Sequence, residues 1–277
     1  MQQRRFRQVD VFTDEPYKGN PVAVVLDGDG LDTAQMQAIA RWTNLSETTF
    51  VCKPEHPDAD YRLRIFCPAN EMRFAGHPTI GSAHAVLSAG FTPKRAGELV
   101  QECGVGLVHL RTGEDGIRIA LPTAQFRPID QDIRAAVEEA IGAPLLENPV
   151  VVDLGVAWLT GQVASGELLR SLKPDMGLIA AAARRADANG LNIFGLDDET
   201  VEVRSFAPHE GTPEDPVCGS GNGAVAYYLR ERRGAVDYRA RQGRCLGRNG
   251  HIAIAYENDA IWLGGLAVNC IEGYITA

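Results

Sequence analysis

Two Gly-rich turns, each running into a helix of small apolar residues, constrain this chain more than any other feature. The first lies in residues 71–90, EMRFAGHPTIGSAHAVLSAG, and the second in residues 214–234, EDPVCGSGNGAVAYYLRERRG. Each segment opens on an acidic residue. The turns are Ala75-Gly76-His77-Pro78 and Cys218-Gly219-Ser220-Gly221. A helix entered through such a turn presents unpaired N–H groups and the positive end of its dipole, which suits a carboxylate or another anion. Two copies in one chain predict two related halves facing one small-molecule site.

The pattern between these segments is mostly β. Short apolar or alternating runs predict strands over 5–12, 22–26, 48–53 and 61–67, and three more over 99–103, 106–111 and 116–121. Asp32 with Gln35 three residues on has capping-box spacing and predicts a helix start. The first central helix is expected over 78–88, with Ile80, Ala83, His84 and Leu87 at i, i+3, i+4 and i+7. A boundary falls near 122–128. Beyond it come helices over 133–141, 168–172 and 176–189, with strands over 150–154, 158–163, 191–195 and 200–206. The second central helix is expected over 223–232, then strands over 241–246, 251–256, 260–263 and 267–275. The class is α+β in two domains, each with strands around a central helix, and 277 residues are enough for both cores.

Composition removes several functions. The formal charge is −9 and the basic residues are scattered, so nucleic acid is not an expected partner. The Arg230–Arg233 cluster ends the second helix, where positive charge complements the dipole. No apolar run reaches the roughly 18 residues of a membrane span, and MQQRRFRQVDVFT has no apolar core of a secretory signal. The six cysteines show neither CxxC pairs nor zinc-finger spacing, so neither disulfides nor a metal is expected, and a reducing cytoplasm is. Neither turn carries GxxxxGK[ST], no strand–GxGxxG–helix unit fits a dinucleotide, and Gly219-Ser220-Gly221-Asn222-Gly223 resembles GxGxxG only superficially.

Five side chains remain as candidates for chemistry. Glu47 stands between the capped helix and a strand. It is either a solvated loop carboxylate or a desolvated one whose pKa rises toward neutrality, as a general acid/base requires. His77 sits in the first turn beside exposed amides, either as a structural hydrogen-bonder or as a ligand contact. Asp215 and Ser220 bracket the second turn; Asp215 can begin it, and Ser220 can cap the helix through its hydroxyl while staying reachable. Cys218 invites comparison with two-base racemases, which place one thiol in each half. The matching position in the first turn is Ala75, which excludes a symmetrical two-thiol mechanism and favours Cys218 as a small buried residue.

Taken in order, Val11-Phe12-Thr13-Asp14 with Gly19-Asn20-Pro21, Asn44-Leu45-Ser46-Glu47-Thr48-Thr49-Phe50, Phe74-Ala75-Gly76-His77-Pro78-Thr79, and Glu214-Asp215-Pro216-Val217 with Gly219-Ser220 span nearly the whole chain. In these motifs the sequence resembles the PhzF-like (phenazine biosynthesis-like) isomerases, which share the diaminopimelate epimerase fold. The resemblance implies two pseudo-symmetric domains, each a β-barrel-like sheet wrapped around a central helix, over 1–122 and 123–266. Residues 267–277 would return to the first domain, and the active site would lie in the cleft between the two. It implies that Glu47 shuttles a proton between carbons of a cyclic acid without metal or organic cofactor. His77, Asp215 and Ser220 would bind that substrate, and the amides of Gly76 and Gly219 would hold its carboxylate. Members are often homodimers.

Two positions depart from the family pattern: Arg73 stands where proline is common, and Cys218 where threonine is. The expected function is therefore a cofactor-independent isomerase in a biosynthetic pathway, acting on a small cyclic carboxylic acid such as trans-2,3-dihydro-3-hydroxyanthranilate. An epimerase or racemase pairing Cys218 with Glu47, and a small-acid binding protein without turnover, are the alternatives.

Overall fold

The apolar runs of the sequence become strands, and the two small-residue segments become the helices those strands enclose. A computed structural model describes residues 2–198 and 200–277. The chain falls into two units, Met1–Ala120 with Gly264–Ala277 and Leu121–Leu263. In chain order the first contributes β1 (Gln3–Val11), β2 (Asn20–Val25), α1 (Thr33–Thr43), β3 (Thr48–Cys52), β4 (Tyr61–Phe66), β5 (Glu71–Met72), α2 (Gly76–Ser88), β6 (Glu98–Cys103), β7 (Gly106–Gly113) and β8 (Gly116–Ala120). The second begins with β9 (Gln125–Pro128), α3 (Gln131–Ile141), β10 (Val150–Asp153), β11 (Ala157–Gln162), α4 (Gly166–Ser171) and α5 (Met176–Arg185). It continues with β12 (Gly190–Asp197), β13 (Thr200–Ala207), β14 (Thr212–Asp215), α6 (Gly219–Arg233), β15 (Tyr238–Gln242) and β16 (Gly250–Glu257). After β17 (Ala260–Gly265), β18 (Ala267–Thr276) pairs antiparallel with β1 of the first unit.

Strand pairing repeats between the units. From β1 the partners run β2 antiparallel, β3 parallel, β4 antiparallel, β6 parallel and β7 antiparallel. From β10 they run β11 antiparallel, β12 parallel, β13 antiparallel, β15 parallel and β16 antiparallel. The short β5 and β14 fold back on β4 and β13. The fold is thus mixed α+β, with an internal duplication written in its pairing.

Each unit is organised by its helix. In α2, residues 77–83, Ala85 and Val86 are all buried, and the helix packs on β1, β2, β3, β4, β8 and β18. A helix apolar around most of its circumference has no solvent face and must be enclosed. Gly81 permits the approach: a Cβ there would lie 2.4 Å from Val22 Cγ1 and 2.8 Å from Val11 Cγ2. In α6, Gly219 and residues 221–229 are buried, and the helix packs on β10, β11, β12 and β16. The Asp32–Gln35 capping box forms as its spacing predicts.

Three expectations need correction. Both central helices start earlier than their sequences suggest, at Gly76 rather than 78 and at Gly219 rather than 223. Glycine disfavours helix locally, yet here packing outweighs propensity, since a Cβ at Gly221 would meet Ser205 Oγ at 2.5 Å. The strand expected over 241–246 is instead β15 (Tyr238–Gln242), stopped by Gly243 at φ +93° and followed by a 3-10 turn over Arg244–Leu246. Finally, α5 ends at Arg185 rather than 189, because Asp187 turns to φ +51°.

Candidate active site

In the first unit, Glu47 and His77 come together. Helix α1 ends where Asn44 turns left-handed at φ +54° and its N–H caps the Ala40 carbonyl. The chain then needs only Leu45 and Ser46 to reach Glu47, one residue before β3. Around Glu47 the backbone is pinned: Ala23 N–H donates to the Glu47 carbonyl, and Thr43 and Thr48 hydroxyls meet at 2.6 Å. Thr49 Oγ1 bonds Ser82 Oγ at 2.8 Å, tying β3 to α2. That link fixes Glu47 against the first turn of α2, where His77 is the second helical residue.

His77 Nε2 lies 3.3 Å from Glu47 Oε2, and their side chains are 9% and 14% exposed. The contact is at ion-pair range, yet Glu47 Oε2 accepts no aligned hydrogen bond among the described residues. Burial therefore acts on the carboxylate with little compensation and pushes its pKa from 4.5 up to about 7, against a smaller downward pull from Ser46. A carboxyl poised near neutrality can both take and give a proton at physiological pH. Beside it, the first turn of α2 begins without a side-chain cap at Ala75. Pro78 has no N–H and Thr79 N–H donates to the Ala75 carbonyl, so Gly76 and His77 are the residues that bring N–H groups to the very start of this helix.

In the second unit the turn is more heavily buttressed. Asp215 Oδ1 accepts from Val217 N–H at 3.0 Å, so the aspartate does begin the turn. Ser220 does not cap the helix. With α6 starting at Gly219, Ser220 is its second residue, and its Oγ accepts from Trp158 Nε1 at 3.0 Å. The cap is Cys218, whose Sγ accepts from Gly221 N–H at 3.2 Å. Cys218 is 4% exposed, and burial pushes its thiol pKa far up, with the Asp215 charge adding to the shift. Such a thiol stays protonated, which does not suit a base.

Gln242, absent from the candidates read in the sequence, holds this turn. Its Oε1 accepts from Cys218 N–H at 3.1 Å and from Asn222 Nδ2 at 2.7 Å; its Nε2 donates to the Asp215 carbonyl at 3.0 Å. With Cys218 and Gly221 N–H groups so used, Gly219 and Ser220 N–H remain as unengaged donors at this end of α6 among the described residues. No sequence signal marks Gln242, because its role depends on β15 passing under the turn.

The register shows why only one half carries the carboxylate. Thr48 pairs with Phe66 on β4, and Leu191 pairs with Phe206 on β13. One residue earlier stand Glu47 and Gly190. A Cβ at Gly190 would lie 2.4 Å from the Phe206 carbonyl oxygen and 2.6 Å from Trp158 Cζ3. The indole occupies the place where a second carboxylate would have to stand.

The family model described as phenazine biosynthesis-like protein matches residues 9–273. The chain belongs to that family. Antisense-enhancing sequence 1 of Schizosaccharomyces pombe is 39% identical over 99% of both chains. The trans-2,3-dihydro-3-hydroxyanthranilate isomerase of Pseudomonas aeruginosa is 35% identical over 83% of this chain and 81% of its own. A Mesorhizobium japonicum family member named as an isomerase is 35% identical over 99% of both. Among solved structures, a Bacillus anthracis PhzF-family protein superposes with a TM-score of 0.87 at 24% identity, covering 100% of both chains. The shared architecture extends to a probable proline racemase from Agrobacterium radiobacter, with a TM-score of 0.65 at 13% identity over 99% and 93% of the two chains. Like the relatives that are named isomerases, this member of the phenazine biosynthesis-like family is an isomerase.

Proposed function

We propose that the protein is a cofactor-independent isomerase that moves a proton between two carbons of a small cyclic carboxylic acid, with Glu47 as the only acid/base. The substrate class is that of the Pseudomonas aeruginosa relative, trans-2,3-dihydro-3-hydroxyanthranilate. Ionised Glu47 removes a proton from a ring carbon, and the electron pair left behind delocalises toward the conjugated substituents. The protonated carboxyl then returns the proton to another carbon on the same face. His77, Asp215 and Ser220 bind polar substituents, while N–H groups of Gly76 and Gly219 hold the carboxylate as its charge grows. The observation that carries this reading is the buried Glu47 carboxyl, poised at about 7 beside His77.

The alternative with Cys218 as a second base is disfavoured by its burial and its engagement as a helix cap. A homodimer in the cytoplasm accompanies the reading, and light scattering at twice the mass of one chain would support the dimer. The central test is turnover of trans-2,3-dihydro-3-hydroxyanthranilate in D2O. Wild type and Cys218→Ala should both convert it, and Glu47→Gln should lose conversion and deuterium incorporation together. Full activity in Glu47→Gln would remove Glu47 from the mechanism. Tight binding without turnover by wild type would favour a binding protein.

A further inference from the structure

The duplicated architecture retains one polar device at matching positions in both units. On β4, Arg64 Nε donates to Glu71 Oε1 at 2.8 Å and Nη2 to Glu71 Oε2 at 2.7 Å. On β13, Arg204 Nε donates to Glu214 Oε1 at 2.9 Å and Nη2 to Glu214 Oε2 at 2.9 Å. Both are two-pronged pairs, the strongest geometry available to arginine and carboxylate. Each guanidinium also lies over the phenylalanine two residues on, 5.2 Å from the Phe66 centroid and 5.0 Å from that of Phe206. The underlying sequences are Arg64-Ile65-Phe66-Cys67-Pro68 and Arg204-Ser205-Phe206-Ala207-Pro208. In both units the glutamate precedes the first glycine of the central helix by five positions, Glu71 to Gly76 and Glu214 to Gly219.

We propose that this arginine–glutamate clamp is a positioning device for the turn that opens each central helix. In the second unit it sets the binding geometry of the stretch from Asp215 to Gly221. Glu214 adjoins Asp215, so fixing the glutamate carboxylate on β13 fixes the backbone from which Asp215 springs. Arg204 in turn is anchored, its Nη1 donating to the carbonyls of Leu169 and Leu172 at the end of α4. The two copies differ in burial. Arg204 and Glu214 side chains are 7% and 11% exposed, against 18% and 38% for Arg64 and Glu71. An exposed pair contributes little, whereas breaking a buried one leaves an uncompensated charge. The clamp of the second unit is therefore the one on which its turn depends.

The binding part of this inference rests on the anion-holding role assigned above to the turn; the positioning part does not. Hydrogen exchange of the intact protein tests the latter. In Glu214→Gln the hydrogen-bonded amides of the turn, Val217, Cys218 and Gly221, should exchange about tenfold faster, with the rest of the second unit unchanged. Arg204→Lys, which keeps the charge and loses the fork, should behave the same way, and it carries the test if Glu214→Gln fails to fold. Glu71→Gln should change exchange at Thr79, whose N–H donates to the Ala75 carbonyl, by less than about threefold, as befits the more exposed pair. Calorimetry with 3-hydroxyanthranilate as probe reads the binding part: affinity should fall about tenfold in Glu214→Gln. Wild-type exchange at Val217, Cys218 and Gly221 in a folded variant, or a uniform rise across the whole unit, would overturn the clamp. If wild type itself does not bind the probe, the anion-site reading fails while exchange still decides the clamp.

Discussion

Replacing Glu47 by glutamine should stabilise the protein at alkaline pH while abolishing turnover. The carboxyl has a pKa of about 7 in the folded state against 4.5 when solvated. Because the folded value is raised, the fold tolerates the protonated form and opposes the ionised one. Its contribution to stability is full below pH 4.5 and is lost as pH climbs through about 7. A shift of that size corresponds to about 3 kcal/mol at pH 8.5, an upper figure given the neighbouring histidine. Glutamine keeps the shape and never ionises. Its melting temperature should therefore match wild type within about a degree at pH 4.5 and exceed it by about 5 °C or more at pH 8.5. Differential scanning calorimetry at the two pH values reads the difference directly. An equal gap at both would mean that Glu47 titrates as an ordinary carboxylate, and the burial argument would fail.

Other substitutions separate structure from chemistry. Cys218→Ala removes the acceptor for Gly221 N–H and should cost about 1 kcal/mol in chemical denaturation, with kcat unchanged within a factor of about two if the thiol is only a cap. Gly221→Ala pushes a Cβ to within 2.5 Å of Ser205 Oγ and should lower stability by about 1–3 kcal/mol. Gly76→Ala meets nothing nearer than Ile119 Cδ1 at 3.5 Å and keeps the backbone N–H, so its melting temperature should hold within about 2 °C; a larger fall would mean that the start of α2 is packed more tightly than this. Gln242→Leu strands the Cys218 N–H and leaves Asn222 Nδ2 only its bond to the Cys218 carbonyl, in a buried site, and should destabilise by about 2–4 kcal/mol in urea titration.

Much of this was legible in the sequence because its signals are local. The twin turns, the apolar helices behind them and the capping box at Asp32 depend on residues only a few positions apart. Glu47 could be placed between helix and strand, with desolvation as one of two readings. What the sequence hid depends on packing from a distance. The helix starts at Gly76 and Gly219 are hidden because glycine reads as a breaker, whereas in the fold its missing Cβ lets α2 and α6 sit against their strands. Ser220 looked like the cap because it has the better hydroxyl, yet helix register gave that place to Cys218. Gln242 and Trp158 carry no motif; they matter because β15 passes under the second turn and the indole fills the place opposite to Glu47 in the duplication. The paired Arg-x-Phe-x-Pro segments were visible all along, and aligning the chain against itself from Arg64 to Glu71 and from Arg204 to Glu214 would have exposed the clamp.

The central claim is that one buried carboxyl is held near neutrality to carry the proton. Carboxyl 13C chemical shifts of glutamate-labelled protein, followed over pH and assigned by the signal missing in Glu47→Gln, measure it most directly. The account predicts a midpoint of about 7 for Glu47. A midpoint near 4.5, the value of a solvated glutamate, would contradict it.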